Sequence, residues 1–75
     1  MDRYVFLATF AEQFEDTDPS FITFNTRFHD LDEWSSLIGM SIIAMAKLNY
    51  GKSINGLELR NCTTVEDLFL LIESK

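Results

Sequence analysis

The chain has one cysteine, Cys62, so no internal disulfide can form. A small domain that manages without disulfides reads as intracellular, and a cytoplasmic location is expected. It has one histidine, His29, which has no second histidine to join it in a metal site. A solvated loop position is expected for it. Basic residues are scarce, six against twelve acids, for a formal net charge of −6. Phosphate binding needs clustered Lys and Arg, so nucleic acid is not an expected partner. Partners with basic patches suit this charge. Long apolar runs are missing too. The stretch from Tyr4 to Phe10 is too short to span a bilayer. Asp2 and Glu12 flank it, unlike the basic start of a signal peptide. Neither membrane insertion nor a targeting segment is therefore expected, and a chain that begins at Met1 without a linker reads as a free-standing protein. No nucleophile stands with an orienting base, and catalysis needs both, so the chain is not expected to be an enzyme.

What is present suffices for one core. Hydrophobic residues make up 47% of the chain and aromatics 13%. Such a composition argues against disorder. Seventy-five residues form one domain, 1–75, expected to be monomeric. A chain of this length buries only about 60% of its unfolded surface, so its stability is expected to be modest.

Hydrophobic periodicity predicts three main helices. The first runs from about Asp2 to Glu15, with Phe6, Leu7, Phe10 and Phe14 on one face. Asp18-Pro19 ends any helix there. Residues 16 to 35 then form a long loop, which Phe21, Ile22, Phe24, Phe28, Leu31 and Trp34 pin onto the core. An isolated strand through Ile22, Phe24 and Phe28 is the runner-up, rejected because it has nothing to pair with. The second helix starts at Ser35-Ser36, both good N-cap residues, and runs to about Tyr50, with Gly51 ready as its C-terminal cap. A short helical turn is expected around Leu57 to Asn61. The last helix starts at Thr63 or Thr64. Thr63 with Glu66 fits a capping box, and Val65, Leu68, Phe69 and Ile72 give its apolar face. The predicted fold is an all-α bundle of three main helices plus one short helix, with a long loop between helices one and two.

The segment Asp32-Glu33-Trp34-Ser35-Ser36-Leu37-Ile38 resembles the attachment site of acyl carrier proteins, whose core is Asp-Ser-Leu at the start of the second helix. A Trp often precedes that triplet, as Trp34 does here. The likeness continues through Ile42-Ile43-Ala44-Met45 and Tyr50-Gly51, and resumes at Asn61-Cys62-Thr63-Thr64-Val65-Glu66-Asp67-Leu68. Phe28-His29-Asp30-Leu31 is similar to the family's approach loop. Together these segments cover most of the chain from Phe28 onward. The resemblance implies a carrier without catalytic activity, with 4'-phosphopantetheine attached covalently to Ser36, the serine followed directly by Leu37. The arm's thiol would hold acyl groups as thioesters for fatty-acid, polyketide or related lipid metabolism. The implied partners are a phosphopantetheinyl transferase and acyl-transferring or acyl-modifying synthase enzymes. A phosphodiester on Ser36 would sit at a helix N-terminus, where free N–H groups and the dipole favour anions.

The sequence departs from the family in two places. Ser35 stands where the family has Asp, an acid that resembles a contact for the transferase. From Leu37 to Tyr50 there is no carboxylate, although the family's second helix displays acids to basic partners. That helix is apolar on more than one side. Gly39, Ile42, Ile43, Ala46 and Tyr50 are assigned to the core, and Leu37, Met40, Ala44 and Leu48 form a second face. Either a partner meets this second face or the long loop covers it. The partner-binding residues are therefore taken as Leu37, Met40, Ala44 and Leu48, with Asp32 and Glu33 steering the encounter. Asp30, Asp32 and Glu33 are read as a solvated acidic loop rather than an acid pair or a cation site. Cys62 is read as a small buried residue. The alternative function is an unmodified, carrier-like interaction module that acts through the apolar second helix.

Overall fold

Asp2 starts the first helix, its carboxylate accepting from the N–H groups of Tyr4 and Val5. The computed structural model describes residues 1–75, with α1 over Arg3–Ala11, α2 over Ser36–Tyr50, α3 over Gly56–Asn61 and α4 over Val65–Ser74. Two single 3-10 turns, Pro19–Phe21 and Phe28–Asp30, punctuate the loop between α1 and α2. The architecture is an all-α bundle, as the periodicity predicts. Helix α1 packs against α2 and α4, and α3 packs against α2. No helix is long and apolar enough to cross a membrane.

Helix α1 stops four residues earlier than its apolar pattern suggests. Beyond Ala11 the chain tightens, with Gln13 N–H donating to the Phe10 carbonyl and Phe14 N–H to that of Ala11. The next two amides, on Glu15 and Asp16, donate instead to the Glu33 carboxylate at 2.7 and 3.1 Å. A continued helix would need those same donors for its own i−4 carbonyls. Phe14 remains buried all the same, so the periodicity reports burial correctly even where the helix has ended.

The core is largely aromatic. Phe6, Phe10 and Phe28 are fully buried. Phe6 meets Phe69 edge-on at 5.4 Å, and Phe10 meets Phe28 in the same way at 5.5 Å. Such tilted pairs contribute about 0.5–1.5 kcal/mol each beyond area burial. Val65, Leu68, Phe69 and Ile72 of α4 all turn inward, as their spacing implies. Arg3 closes one edge of the core. Its guanidinium lies over the Phe24 ring at 4.3 Å and pairs with Glu66.

Two expectations are corrected at α4. The capping box uses Thr64 and Asp67, one residue later than Thr63 and Glu66: the Thr64 hydroxyl accepts from Asp67 N–H, and the Asp67 carboxylate accepts from Thr64 N–H and Thr63 N–H. This frame places Val65 fully inside and leaves Glu66 free to pair with Arg3. The extended loop segment also has a partner after all. The carbonyls of Phe24 and Thr26 accept from Glu66 N–H and Val65 N–H at 3.0 and 3.2 Å, and Arg27 bridges to Thr64. These are first-turn donors that a helix cannot satisfy itself. The loop therefore pairs with a helix start rather than with a strand.

Candidate functional site at the start of the second helix

The two serines at the head of α2 have separate tasks. Ser35 is the N-cap. Its backbone is extended, and its hydroxyl accepts from Ile38 N–H at 3.3 Å. Ser36 is the first helical residue, exposed, and its hydroxyl is free of intramolecular hydrogen bonds. Helix α2 then runs for 15 residues, and its peptide dipoles leave a partial positive charge at this end. At the other end Gly51 adopts φ 67°, a left-handed conformation that glycine takes without steric cost.

Ser36 stands on the rim of a cleft of about 330 Å³ between α2, α3 and the loop. Trp34, Ile43 and Leu59 form its apolar walls, and Met40 joins Ser36 on the α2 side. Gly39 lies where the Trp34 indole and the Leu59 side chain approach the helix; a Cβ there would meet both at 3.5 Å. Of the residues assigned to the core from spacing, Gly39, Ile42 and Ala46 are buried, whereas Ile43 and Tyr50 are only partly buried against it. Met45, outside that assigned set, is buried as well.

His29 departs from the expected solvated loop residue. Its ring stacks on Trp34, with centroids 4.8 Å apart and planes 25° apart, and meets the Phe28 ring edge-on. Its Nε2 is buried without a hydrogen-bond partner, and the ring lines the cleft that Ser36 borders. Arg60 of α3, which no sequence pattern singles out, lines the same cleft. A histidine five residues before a tryptophan, in a loop this rich in aromatics, is the signal that precedes the stack in sequence. Arg60 has no such signal, because only the packing of α3 on α2 brings it toward Ser36.

The second apolar face of α2 is open to solvent. Leu37, Met40 and Leu48 are 75, 66 and 83% exposed, and Ala44 between them is exposed too. The loop covers a different part of the molecule, where Ile22 and Phe28 enter the core.

The acids of the loop are divided. Asp30 and Asp32 are exposed. Glu33 is half-buried and engaged: besides the two amides already described, it accepts from the Thr17 hydroxyl at 2.7 Å. That hydroxyl, followed by the neighbouring amides, holds the Glu33 carboxyl below the usual glutamate range. Asp32 and Glu33 line one shallow hollow with Asp16 and Asp18, beside the exposed ring of Phe21. No set of three or more His, Cys, Asp or Glu side chains is arranged to hold a metal ion. Cys62 is buried, and burial pushes its thiol up, away from the reactive thiolate.

No protein-family model, curated protein or solved structure matches this chain.

Proposed function

We propose that this chain is an acyl carrier protein that bears 4'-phosphopantetheine on Ser36 and presents acyl thioesters to synthase enzymes. One observation carries this reading. Of the two adjacent serines, Ser35 spends its hydroxyl on capping α2, while Ser36 keeps a free, exposed hydroxyl at the positive end of a long helix. That is the serine followed by Leu in the sequence that resembles the family's attachment core. A phosphodiester placed there is favoured by the helix end, and the cleft beside it offers the arm an apolar wall. The cofactor supplies the thioester chemistry, and the protein supplies a handle and a surface. In this reading the chain is a monomer of the cytoplasm with no catalytic activity of its own. Its partners are a phosphopantetheinyl transferase and the enzymes that load, modify and unload the acyl group.

Mass measurement after incubation with coenzyme A and a broad-specificity transferase tests the reading. Wild type gains one arm, Ser35→Ala gains one, and Ser36→Ala gains none. Addition of an arm to Ser36→Ala would overturn the assignment.

The exposed row Leu37, Met40 and Leu48 supports a second reading, in which the domain stays unmodified and binds partners through α2 alone. The same mass experiment separates the two, since an interaction module gains no arm.

A further inference from the structure

We propose that Arg60 and His29 make the mouth of the α2–α3 cleft an anion site, which holds an oxyanion borne by the arm of Ser36. This inference rests on the carrier reading above. The oxyanion is either the phosphodiester at the root of the arm or a carboxylate at the end of a short acyl cargo. The two share one chemistry and differ only in their distance from Ser36.

The charge distribution points to the cleft. The chain carries twelve acids against six bases, yet no carboxylate lines this cleft, whereas Arg60 and His29 both do. Arg3 and Lys75 are committed to Glu66 and Glu58. Arg60 forms neither an ion pair nor an intramolecular hydrogen bond, so its five donors are free for an incoming anion. A guanidinium binds carboxylate or phosphate through two parallel hydrogen bonds, which fixes orientation as well as charge. The second observation is the His29 Nε2, buried and unpartnered. Buried polar nitrogens are ordinarily paired, and a bound oxyanion is the partner assigned to this one. His29 is held in place by its stack on Trp34, so the ring is positioned before any ligand arrives. At about 330 Å³ the cleft is at the small end of ligand sites. It suits a cargo of a few carbons, with Trp34, Ile43 and Leu59 against the chain and the charge at the rim.

The test uses the full chain with three arms installed by a broad-specificity transferase: unacylated, butyryl and succinyl. Butyryl and succinyl both have four carbons and differ in the terminal carboxylate. Phosphorus NMR reads the phosphodiester. Proton–nitrogen NMR reads the Gly39 and Gly56 amides and the Trp34 indole, all at the cleft. If the phosphodiester is the anion, its resonance on the unacylated arm shifts in Arg60→Gln and His29→Gln and stays near wild type in Arg60→Lys. If the cargo carboxylate is the anion, the phosphorus resonance stays put. Succinyl then shifts the cleft signals relative to butyryl, and Arg60→Gln abolishes that difference. Cleft signals and phosphorus resonance that are identical in wild type and Arg60→Gln for all three arms overturn the inference while leaving the carrier reading intact. Absence of any arm by mass overturns both.

Discussion

The Trp34 indole lies against the bare helix backbone at Gly39, where a Cβ would meet Trp34 Cζ2 at 3.5 Å. That is ordinary van der Waals contact, so a methyl group fits without displacing its neighbours. A helix-interior glycine costs roughly 0.5–1 kcal/mol against alanine. Gly39→Ala is therefore expected to stabilise the domain by up to about 1 kcal/mol. For a domain of this size that corresponds to a rise in Tm of about 4–8 °C per kcal/mol. Thermal unfolding followed by circular dichroism measures it, and a fall in Tm would mean that the indole cannot yield at all.

Ser35 and Ser36 are expected to respond differently to truncation. Ser35→Ala removes the α2 cap and costs about 1 kcal/mol. Ser36→Ala removes an exposed hydroxyl with no partner and stays within about 0.5 kcal/mol of wild type. Ser35→Asp keeps an acceptor for Ile38 N–H and adds a negative charge at the positive helix end, so stability is retained or rises. Under the proposed carrier reading, the same variant introduces the acid found in the attachment core of acyl carrier proteins and is expected to speed arm attachment. Urea titrations of the three variants, with a time course of modification for the last, decide these points.

Stability is expected to fall in acid, and Glu33 contributes to the fall. Its folded-state pKa lies below the ordinary glutamate value of 4.5. A carboxyl depressed by folding stabilises the native state at pH values above its unfolded pKa. That contribution is lost as the pH falls from about 4.5 through the lower folded value. Asp18, Glu58 and Asp67 are depressed by their own hydrogen bonds and act in the same direction. Glu33→Gln is expected to lower stability at pH 7 and to flatten its decline between pH 5 and pH 3. Urea unfolding at a series of pH values reads the slope, and an unchanged slope would remove Glu33 from the account.

Partners are expected to read α2 through apolar contacts. Leu37, Met40 and Leu48 are exposed, and no carboxylate interrupts α2. Exposed charge pairs are screened over about 8 Å at physiological ionic strength, whereas apolar contacts are nearly insensitive to salt. Met40 is central, borders the cleft beside Ser36, and is flexible enough to adapt to different partners. Under the proposed carrier reading, dissociation from a phosphopantetheinyl transferase is expected to change little across a salt series and to accelerate in Met40→Ala. Asp30 and Asp32 leave some salt dependence in the association rate. A steep salt dependence of dissociation together with an unaffected Met40→Ala would place the contact elsewhere.

The helices were legible in the sequence because their signals are local. Period and cap residues lie within a few positions of each other, as with Ser35, Gly51 and the face of α4. The errors fall where hydrogen bonds reach across the chain. Glu33 takes the amides that would have extended α1, and Phe24 and Thr26 pair with the head of α4. Thr63-Thr64-Val65-Glu66-Asp67 contains two overlapping capping boxes, and only the burial of Val65 and the Arg3–Glu66 pair select the second. The serine pair and the apolar row of α2 were visible in advance. The cleft was not, because His29, Ser36 and Arg60 come from three separate elements.

The carbonyls of Thr26 and Phe24 tie the long loop to the amides of Val65 and Glu66. At a helix start these amides have no acceptor within their own helix, so their protection against hydrogen exchange reports the loop contact alone. Every excursion of the loop unmasks them, even while the rest of α4 stays closed. The two amides are therefore a built-in gauge of loop opening in the intact protein. They also couple the loop to α4: loss of α4 removes the two donors that the Phe24 and Thr26 carbonyls accept from.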